Sequence, residues 1–253
     1  ASIILVMLFG MGVMGAVIGF VGPTILVSAL CPLLIRDWIG LDSSLWNIPA
    51  LHATTVFGFY VVLGNSVSFL NTQIDSIMIG YYLSPSEVGI YAVAALLAQT
   101  LTLIPSAVQR VTAPATATLY GKGDIRAIRR VISSTMRKTF LVSVPIALVL
   151  VIFGQFFITL LFTGEFLPAY LPLLALLVGH TIFAPFMAIG STLASIGKVN
   201  IPFKIHSICG MLNVVLNILL IPLLGIMGAA ISTTVTHIVS FVIHIVVIEK
   251  ALS

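Results

Sequence analysis

Long apolar runs separated by short polar turns make up almost the whole chain. Most runs reach about 18 residues or more, the length at which a helix crosses a hydrocarbon core about 30 Å thick. They lack the strict alternation of apolar and polar positions that marks the strands of a membrane barrel. Because backbone groups in lipid must be hydrogen-bonded within their own segment, the pattern predicts an all-α polytopic membrane protein.

The turns divide the chain into a short first stretch of helix, residues 1–9, and a series of full spans. Spans are expected at about 13–35, 52–82, 88–119, 139–162, 168–195, 203–222 and 227–249. Pro105 and Pro114 lie inside the longest of these runs. Because proline interrupts the hydrogen bonding of a helix, they predict a kink there.

A short internal repeat suggests how the spans are grouped. Residues Gly12–Ile18, GVMGAVI, are similar to Gly225–Ile231, GIMGAAI, and each segment opens an apolar run that ends in charged residues. Such repeats are common in transporters built from two related bundles. We therefore expect residues 1–36 to be the end of a first helical bundle, with a partial helix and one full span. Residues 37–51 are then a cytoplasmic linker, and residues 52–250 form a second bundle of six helices.

Lysine and arginine mark one end of the spans. All of the 11 basic residues except Arg110 fall on one side by this span count, mostly in the loops 119–138 and 196–204, whereas the opposite turns hold Glu87 and Glu165. The positive-inside rule makes the basic loops cytoplasmic and predicts a multi-pass protein of the plasma membrane. The stretch 121–138 is expected to form a short amphipathic helix on that inner surface, although its charges serve equally well as a plain topology signal.

Composition narrows the function classes. Apolar residues make up 60% of the chain and charged residues 7%, against about 25% charged residues in soluble domains. The net charge of +4 comes from the basic loops and does not indicate nucleic-acid binding. Cys31 and Cys209 lie within apolar runs and are expected to pack there as small residues, without a disulfide or a metal. No metal-ligand spacing, nucleophile arrangement or phosphate-binding glycine loop is present, so we expect neither an enzyme nor a cofactor.

Several motifs, taken in order, resemble a known family. They are IDSIMIGYYLSPSEVGIYAVA (74–94), GKGDIRAIRR (121–130), LPAYLPLLALLVGHTIFAPF (167–186), STLASIGKVNIP (191–202) and LNVVLNILLIPLLGIMGAAIST (212–233). This set is similar to the polysaccharide-export flippases of the multidrug/oligosaccharidyl-lipid/polysaccharide (MOP) superfamily. The resemblance covers about residues 55–250.

The resemblance implies a MATE-like polytopic helical bundle of two six-helix halves, of which this chain holds one complete half and the last helix or so of the other. It also implies a prokaryotic transporter that flips lipid-linked oligosaccharide or polysaccharide repeat units from the inner to the outer leaflet by alternating access. The expected partners are then the lipid-linked sugar, the lipid bilayer and an N-terminal bundle missing from this sequence.

A flippase needs a polar groove, because sugar hydroxyls and phosphate cannot be solvated by lipid. Asn65 and Thr72 share a face of the 52–82 span with Asp75, and Gln99, Gln109 and Arg110 lie on one side of the 88–119 span. The candidate cavity residues are Asn65, Thr72, Gln99, Gln109 and Arg110. Arg110 is the strongest candidate for substrate contact, because its planar guanidinium suits a phosphate. A structural ion pair, or snorkelling to the inner interface, remains an alternative for Arg110.

Asp75 has three interpretations. It is a proton or cation site that drives transport, a residue that pairs with a neighbouring helix, or a solvated acid at the outer mouth. Because few residues separate it from the turn at 83–87, burial is expected to be partial. Arg110 is therefore preferred to Asp75 as the residue that holds substrate.

Other intramembrane polar residues have a simpler interpretation. Asn213 with Asn217, and Thr233 with Ser240, are typical of residues that join membrane helices by hydrogen bonds. His180, His237 and His244 have no carboxylate near them in sequence and are expected to be packed or hydrogen-bonded.

Two other functions stay open at this point. The first is a multidrug or metabolite cation antiporter of the same superfamily, which would need several carboxylates deep in the bundle to bind cations. A membrane scaffold, or an inactive fragment, would follow if the chain lacked the other half of a transporter.

Overall fold

The computed structural model describes residues 12–34 and 48–252, and these residues form helices joined by short turns. The chain divides into two compact units, residues 1–54 and residues 55–253. The expected first helix at 1–9, Arg36, and most of the expected linker 37–51 lie outside the described residues.

The described helices are numbered in chain order. They are α1 (Gly12–Leu34), α2 (Ile48–Tyr82), α3 (Pro85–Gln99), α4 (Leu103–Gly121), α5 (Ile125–Leu161), α6 (Tyr170–Met187), α7 (Thr192–Ser195), α8 (Asn200–Leu224) and α9 (Ile226–Ala251). Short 3₁₀ segments, Thr100–Thr102 and Gly164–Ala169, precede α4 and α6.

Within the described residues, 6 helical segments are long and apolar enough to cross a membrane. They are Ile48–Tyr82, Pro85–Gly121, Ile125–Leu161, Gly164–Ser195, Asn200–Leu224 and Ile226–Ala251. The prediction of an all-α, multi-pass membrane protein is confirmed.

The tight turn between α2 and α3 follows from two adjacent residues. The Ser84 hydroxyl accepts a hydrogen bond from the Glu87 backbone N–H at 3.3 Å, which satisfies one of the free donors at the start of α3. Pro85 occupies the first turn, where its fixed φ suits a helix and its missing N–H costs nothing. The helix therefore restarts at Pro85, earlier than the residue-88 start expected from hydropathy.

The irregularity expected in the long second span has a definite position. A 3₁₀ turn, Thr100–Thr102, separates α3 from α4. Pro105 lies three residues further on and has no N–H to donate to the Leu101 carbonyl, so one bond of the α-helical ladder is missing next to this turn. Pro114, by contrast, lies inside α4 without ending it.

The expectation of a separate surface helix at 121–138 is wrong. Asp124 caps a helix through a 2.9 Å hydrogen bond from the Ala127 N–H, and α5 then runs unbroken from Ile125 to Leu161. Between residues 125 and 144 there is no glycine or proline to stop it. The basic stretch is thus the first part of a membrane-length helix, and that helix begins well before residue 139.

α6 is the central helix of the larger unit and packs against α3, α5 and α9. Its contact with α9 is close at Gly179, where an added Cβ would lie 2.8 Å from the Thr234 Cα. One buried apolar cluster surrounds this region and includes Ala94, Leu173 and Ala229. A second cluster near the basic loops joins α5, α6 and α9 through residues that include Ile128, Phe186 and Ile248.

Two basic residues hold the C-terminal end of α9. An Arg129 guanidinium N–H donates to the Leu252 carbonyl at 3.2 Å, and the Lys198 ammonium donates to the Ala251 carbonyl at 3.3 Å. Because the last carbonyls of a helix have no partner within it, these bonds satisfy groups that would otherwise need water.

α2 is attached to the rest of its unit in a different way. In the most apolar 18-residue stretch of α2 no residue is buried. In the corresponding stretch of Gly164–Ser195, 50% of the residues are buried. Its two buried residues are Asp75 and Ile79. Polar side chains therefore supply much of what fixes α2 to its neighbours, and they lead to the candidate site.

Candidate functional site

Asp75 is the centre of a buried hydrogen-bond network that joins four helices. Its side chain is 6% exposed. One carboxylate oxygen accepts from the Tyr91 hydroxyl of α3 at 2.6 Å and from the Thr233 hydroxyl of α9 at 2.5 Å. The other accepts from the Asn217 amide of α8 at 2.8 Å. Three donors from three helices thus converge on one carboxylate of α2.

The donors are themselves connected. The Asn217 side-chain amide also donates to the side-chain oxygen (Oδ1) of Asn213 at 3.0 Å, and the Asn213 amide donates to the Thr233 hydroxyl at 3.3 Å. The side-chain oxygen of Asn217 is buried and has no hydrogen-bond partner among the described residues. A single helical turn separates Asn213 from Asn217, so both point to the same side of α8.

The electrostatics of this network are unbalanced. Asp75 is buried, and no lysine or arginine is buried in the described part of the chain. A buried carboxylate is costly unless hydrogen bonds, a cation or a proton offset its charge. Three donors supply these hydrogen bonds.

A neighbouring contact extends the attachment of α2 by one turn. The Asn71 amide donates to the His206 backbone carbonyl of α8 at 3.1 Å. Gly210 makes room for it, because an added Cβ there would lie 2.2 Å from the Asn71 side-chain oxygen. The face of α2 that meets the bundle is therefore defined by Asn71, Asp75 and Ile79, spaced four residues apart.

The residues predicted to share a face of α2 differ in burial. Asn65 and Thr72, which were grouped with Asp75, are exposed. The Thr72 hydroxyl donates to the Phe69 carbonyl of its own helix at 2.7 Å. A sequence spacing of ten residues leaves Asn65 and Asp75 at the edges of one broad face, so one can be buried while the other is not.

The remaining cavity candidates lie on α3 and α4. Gln99 and Arg110 are exposed, and Gln109 is half-buried. The Gln109 amide packs near Gly190, where an added Cβ would lie 3.3 Å from its nitrogen. Among the residues that the structure describes, no hydrogen bond joins any two of the five candidate side chains. Their shared cavity stays a prediction.

The interpretation of Asp75 as a solvated acid is wrong, and so is the expectation of partial burial. Distance along the chain from a turn does not measure burial, because α3, α8 and α9 close over Asp75 from the side. In the structure, Asp75 pairs with side chains of the neighbouring helices α3, α8 and α9. Asn213, Asn217 and Thr233 join helices as predicted, and they do so around this carboxylate.

Sequence reasoning missed Tyr91 and Asn71. Tyr91 is 3% exposed and its hydroxyl reaches Asp75. A tyrosine within an apolar run carries a signal, since a buried hydroxyl needs a partner. Asp75 precedes Tyr91 by 16 residues and Glu87 is closer in sequence, so the sequence signals a partner for the hydroxyl but does not select Asp75.

The histidines are packed, as predicted. The His237 ring stacks on Phe183 with centroids 4.6 Å apart, and a His180 ring nitrogen lies 2.9 Å from the Leu176 carbonyl. A His244 ring nitrogen lies 2.8 Å from the Ser240 carbonyl. No group of three or more potential metal-binding side chains occurs in the described residues.

Fold and site define a class: a multi-pass helical membrane protein with the MATE transporter fold. A solved MATE transporter from Vibrio cholerae, VcmN, superposes with a TM-score of 0.81 at 18% identity, over 99% of this chain and 58% of that one. At this identity the likeness concerns the fold alone. The predicted MATE-like bundle is confirmed.

The chain belongs to the polysaccharide biosynthesis protein family, whose model matches residues 1–171. An uncharacterized membrane protein of Methanocaldococcus jannaschii, MJ1068, is 30% identical over 78% of this chain and 39% of its own length. A probable low-salt glycan biosynthesis flippase of Haloferax volcanii, Agl15, is 25% identical over 81% of this chain and 44% of its own length. The chain therefore matches less than half the length of these curated relatives.

Proposed function

We propose that the chain is half of a transporter that flips lipid-linked oligosaccharide or polysaccharide repeat units from the inner to the outer leaflet by alternating access. Membership of the polysaccharide biosynthesis family, the MATE fold and the likeness to a probable glycan flippase all support this proposal. The other half is an N-terminal bundle of the same protein. The basic loops 119–138 and 196–204 face the cytoplasm.

The position of Arg110 inside a membrane-length segment is the main support for this proposal. It is exposed on α4, inside the membrane-length segment Pro85–Gly121. Eleven residues of helix, a rise of about 16 Å, separate it from Gly121. A charge at this depth is costly against lipid and is tolerated against a water-filled cavity or a partner. A guanidinium there suits the phosphate that links sugar to lipid.

The test is export in cells that lack their own flippase for the lipid-linked sugar and express the gene that encodes this chain. Arg110→Ala should abolish export, and Arg110→Lys should restore only part of it, because an ammonium does not match phosphate in a bidentate way. Arg126→Ala is the matched control and should export normally. Normal export by Arg110→Ala would contradict the substrate role.

Folding is measured alongside export. The Arg110 guanidinium makes no hydrogen bond to the rest of the described chain, so Arg110→Ala should reach the membrane in wild-type amounts and unfold at the wild-type temperature. Loss of export in a folded variant then reports on substrate and not on stability.

We also propose that Asp75 is the coupling site, where proton or monovalent cation exchange drives transport. The supporting observation is a buried carboxylate whose bonds attach α2 to α3, α8 and α9. Adding or removing a charge at Asp75 changes these bonds and so changes how α2 is held. That is a physical route from ion gradient to helix movement.

In proteoliposomes, Asp75→Asn should remove the dependence of transport on the pH gradient or on the sodium gradient, whichever the wild type shows. Glu165→Gln removes an exposed carboxylate and should leave that dependence intact. An unchanged gradient dependence in Asp75→Asn would exclude coupling at this site.

A cation-coupled drug antiporter fits less well. Asp75 is the one buried carboxylate in the part of the chain that the structure describes. An exposed arginine inside the span also disfavours cationic drugs, because like charges repel. Drug sensitivity measured in the same cells separates the two functions.

A further inference from the structure

A groove between α5 and α9 lies apart from the Asp75 network and from Arg110. Its volume is about 960 Å³, within the range of small-molecule sites, which is about 300–1,000 Å³. Its lining comes from the basic first part of α5 and the last turns of α9: Arg129, Ile132, Ser133, Met136, Arg137, Ile245, Val246, Ile248, Glu249, Lys250 and Leu252.

The groove is amphiphilic. Its floor is formed by Ile132, Ile248 and Leu252, which are buried in the second apolar cluster. Its wall on the α9 side includes Val246, an apolar side chain that is 58% exposed. A ligand that fills this groove therefore needs an apolar part as well as a polar one.

Charge lies along one rim. Arg129, Ser133 and Arg137 follow each other at four-residue intervals, so they form one stripe on α5. The Cα atoms of Arg129 and Arg137 are separated by a rise of about 12 Å along the helix axis. Lys250 and the carboxylate of Glu249 also line the groove, which leaves positive charge in excess. Arg129 uses one of its five N–H donors on the Leu252 carbonyl and keeps the others for a ligand.

We propose that this groove binds an anionic membrane phospholipid, with its phosphate on the arginine stripe and the start of an acyl chain against Met136, Ile245 and Val246. Under the span assignment, the groove belongs to the basic end of the spans, which is the end expected among the lipid headgroups. Basic pockets between membrane helices suit phospholipid headgroups for this reason. The proposal depends on the span assignment and not on the transported substrate.

The first experiment is native mass spectrometry of the purified full-length protein that contains this chain, with dioleoyl phosphatidylglycerol. The wild type should retain a discrete bound phosphatidylglycerol, and Arg129→Gln/Arg137→Gln should lose it. Arg126→Gln/Arg130→Gln removes the same charge from the same helix outside the groove, and it should keep the bound lipid. Equal loss in the two double variants, or no loss in the first, would overturn the proposal.

A second variant tests the shape of the groove without changing its charge. Ser133→Trp keeps all the basic residues and fills the space between the two arginines, so it too should lose the bound lipid. Unfolding temperatures in neutral phosphatidylcholine show whether each variant is folded. Retention of phosphatidylglycerol by folded Ser133→Trp would place the lipid elsewhere and contradict the site.

Two further probes identify the ligand class. Phosphatidylglycerol should raise the unfolding temperature of the wild type more than phosphatidylcholine does, and inorganic phosphate should not replace it, because phosphate lacks an apolar part. Equal stabilisation by inorganic phosphate, or displacement of the lipid by a sugar-bearing lipid pyrophosphate, would overturn the assignment. Neither result bears on Arg110, whose test is export.

Discussion

At the scale of single residues, the network around Asp75 shows how a membrane bundle accommodates a buried carboxylate. Each of its three donors is the polar tip of a side chain on a different helix, and each bond therefore also fixes the position of a helix. In lipid such bonds contribute modestly, since the unfolded chain finds other partners as well. Their value here lies in geometry, because together they select one arrangement of α2 against α3, α8 and α9.

Tyr91→Phe tests one of these bonds without changing the volume of the core. We expect a loss of about 1 kcal/mol in the free energy of unfolding, the size typical of a buried hydrogen bond between membrane helices. Tyr81→Phe, at a tyrosine that is 81% exposed, is the control and should change little. Equal stability of the Tyr91 variant and the wild type in a reversible denaturation assay would show that this bond contributes nothing.

The sequence predicts which polar residues join helices, but it does not predict which of them are buried. Asn213, Asn217 and Thr233 were correctly interpreted as residues that join helices. Asn65 and Thr72 share a helix with Asp75 and are nonetheless exposed. Periodicity places residues on a face, but only the neighbouring helices decide how wide the buried part of that face is.

At the scale of elements, local signals set where helices begin and close contacts set how they cross. Ser84 with Pro85, and Asp124 with its bond to Ala127, are start signals that can be read from sequence. The predicted span 139–162 is shorter than α5 because the prediction treats charged residues as the end of the helix. Lysine and arginine are good helix formers, and a helix can continue from the membrane into the aqueous phase.

The crossing of α6 and α9 depends on Gly179. Gly179→Ala would place a methyl group 2.8 Å from the Thr234 Cα, a backbone atom that cannot move aside. The helices must separate, which should cost about 1–3 kcal/mol of stability. Gly64→Ala is the control, because nothing lies within 4 Å of its added Cβ. The measurement is the unfolding temperature in detergent, and a Gly179 variant as stable as the Gly64 variant would contradict the close contact.

At the scale of the whole molecule, the six membrane-length segments place the loop at 122–124 and the turn at 163–165 at opposite ends of α5. The positive-inside rule then puts the first in the cytoplasm and the second outside. This orientation remains a prediction, and it decides the direction of the proposed transport.

Cysteine labelling in intact cells measures that orientation. In a chain with Cys31 and Cys209 replaced by serine, Glu165→Cys should react with a membrane-impermeant maleimide. Lys122→Cys should react only after the cells are opened. The reverse pattern would invert the topology, and labelling of both from outside would mean that α5 does not span the membrane.

The sequence by itself determined the class, the spans and the family resemblance, because hydrophobic length, turn residues and charge asymmetry act locally and are visible one segment at a time. Tertiary structure alone decided that Asp75 is buried, that Tyr91, Asn217 and Thr233 surround it, and that Asn71 meets α8 at Gly210. These contacts join residues up to 158 positions apart in sequence. They depend on how helices pack, and lipid is as apolar as the packed interior, so hydrophobicity does not specify that packing.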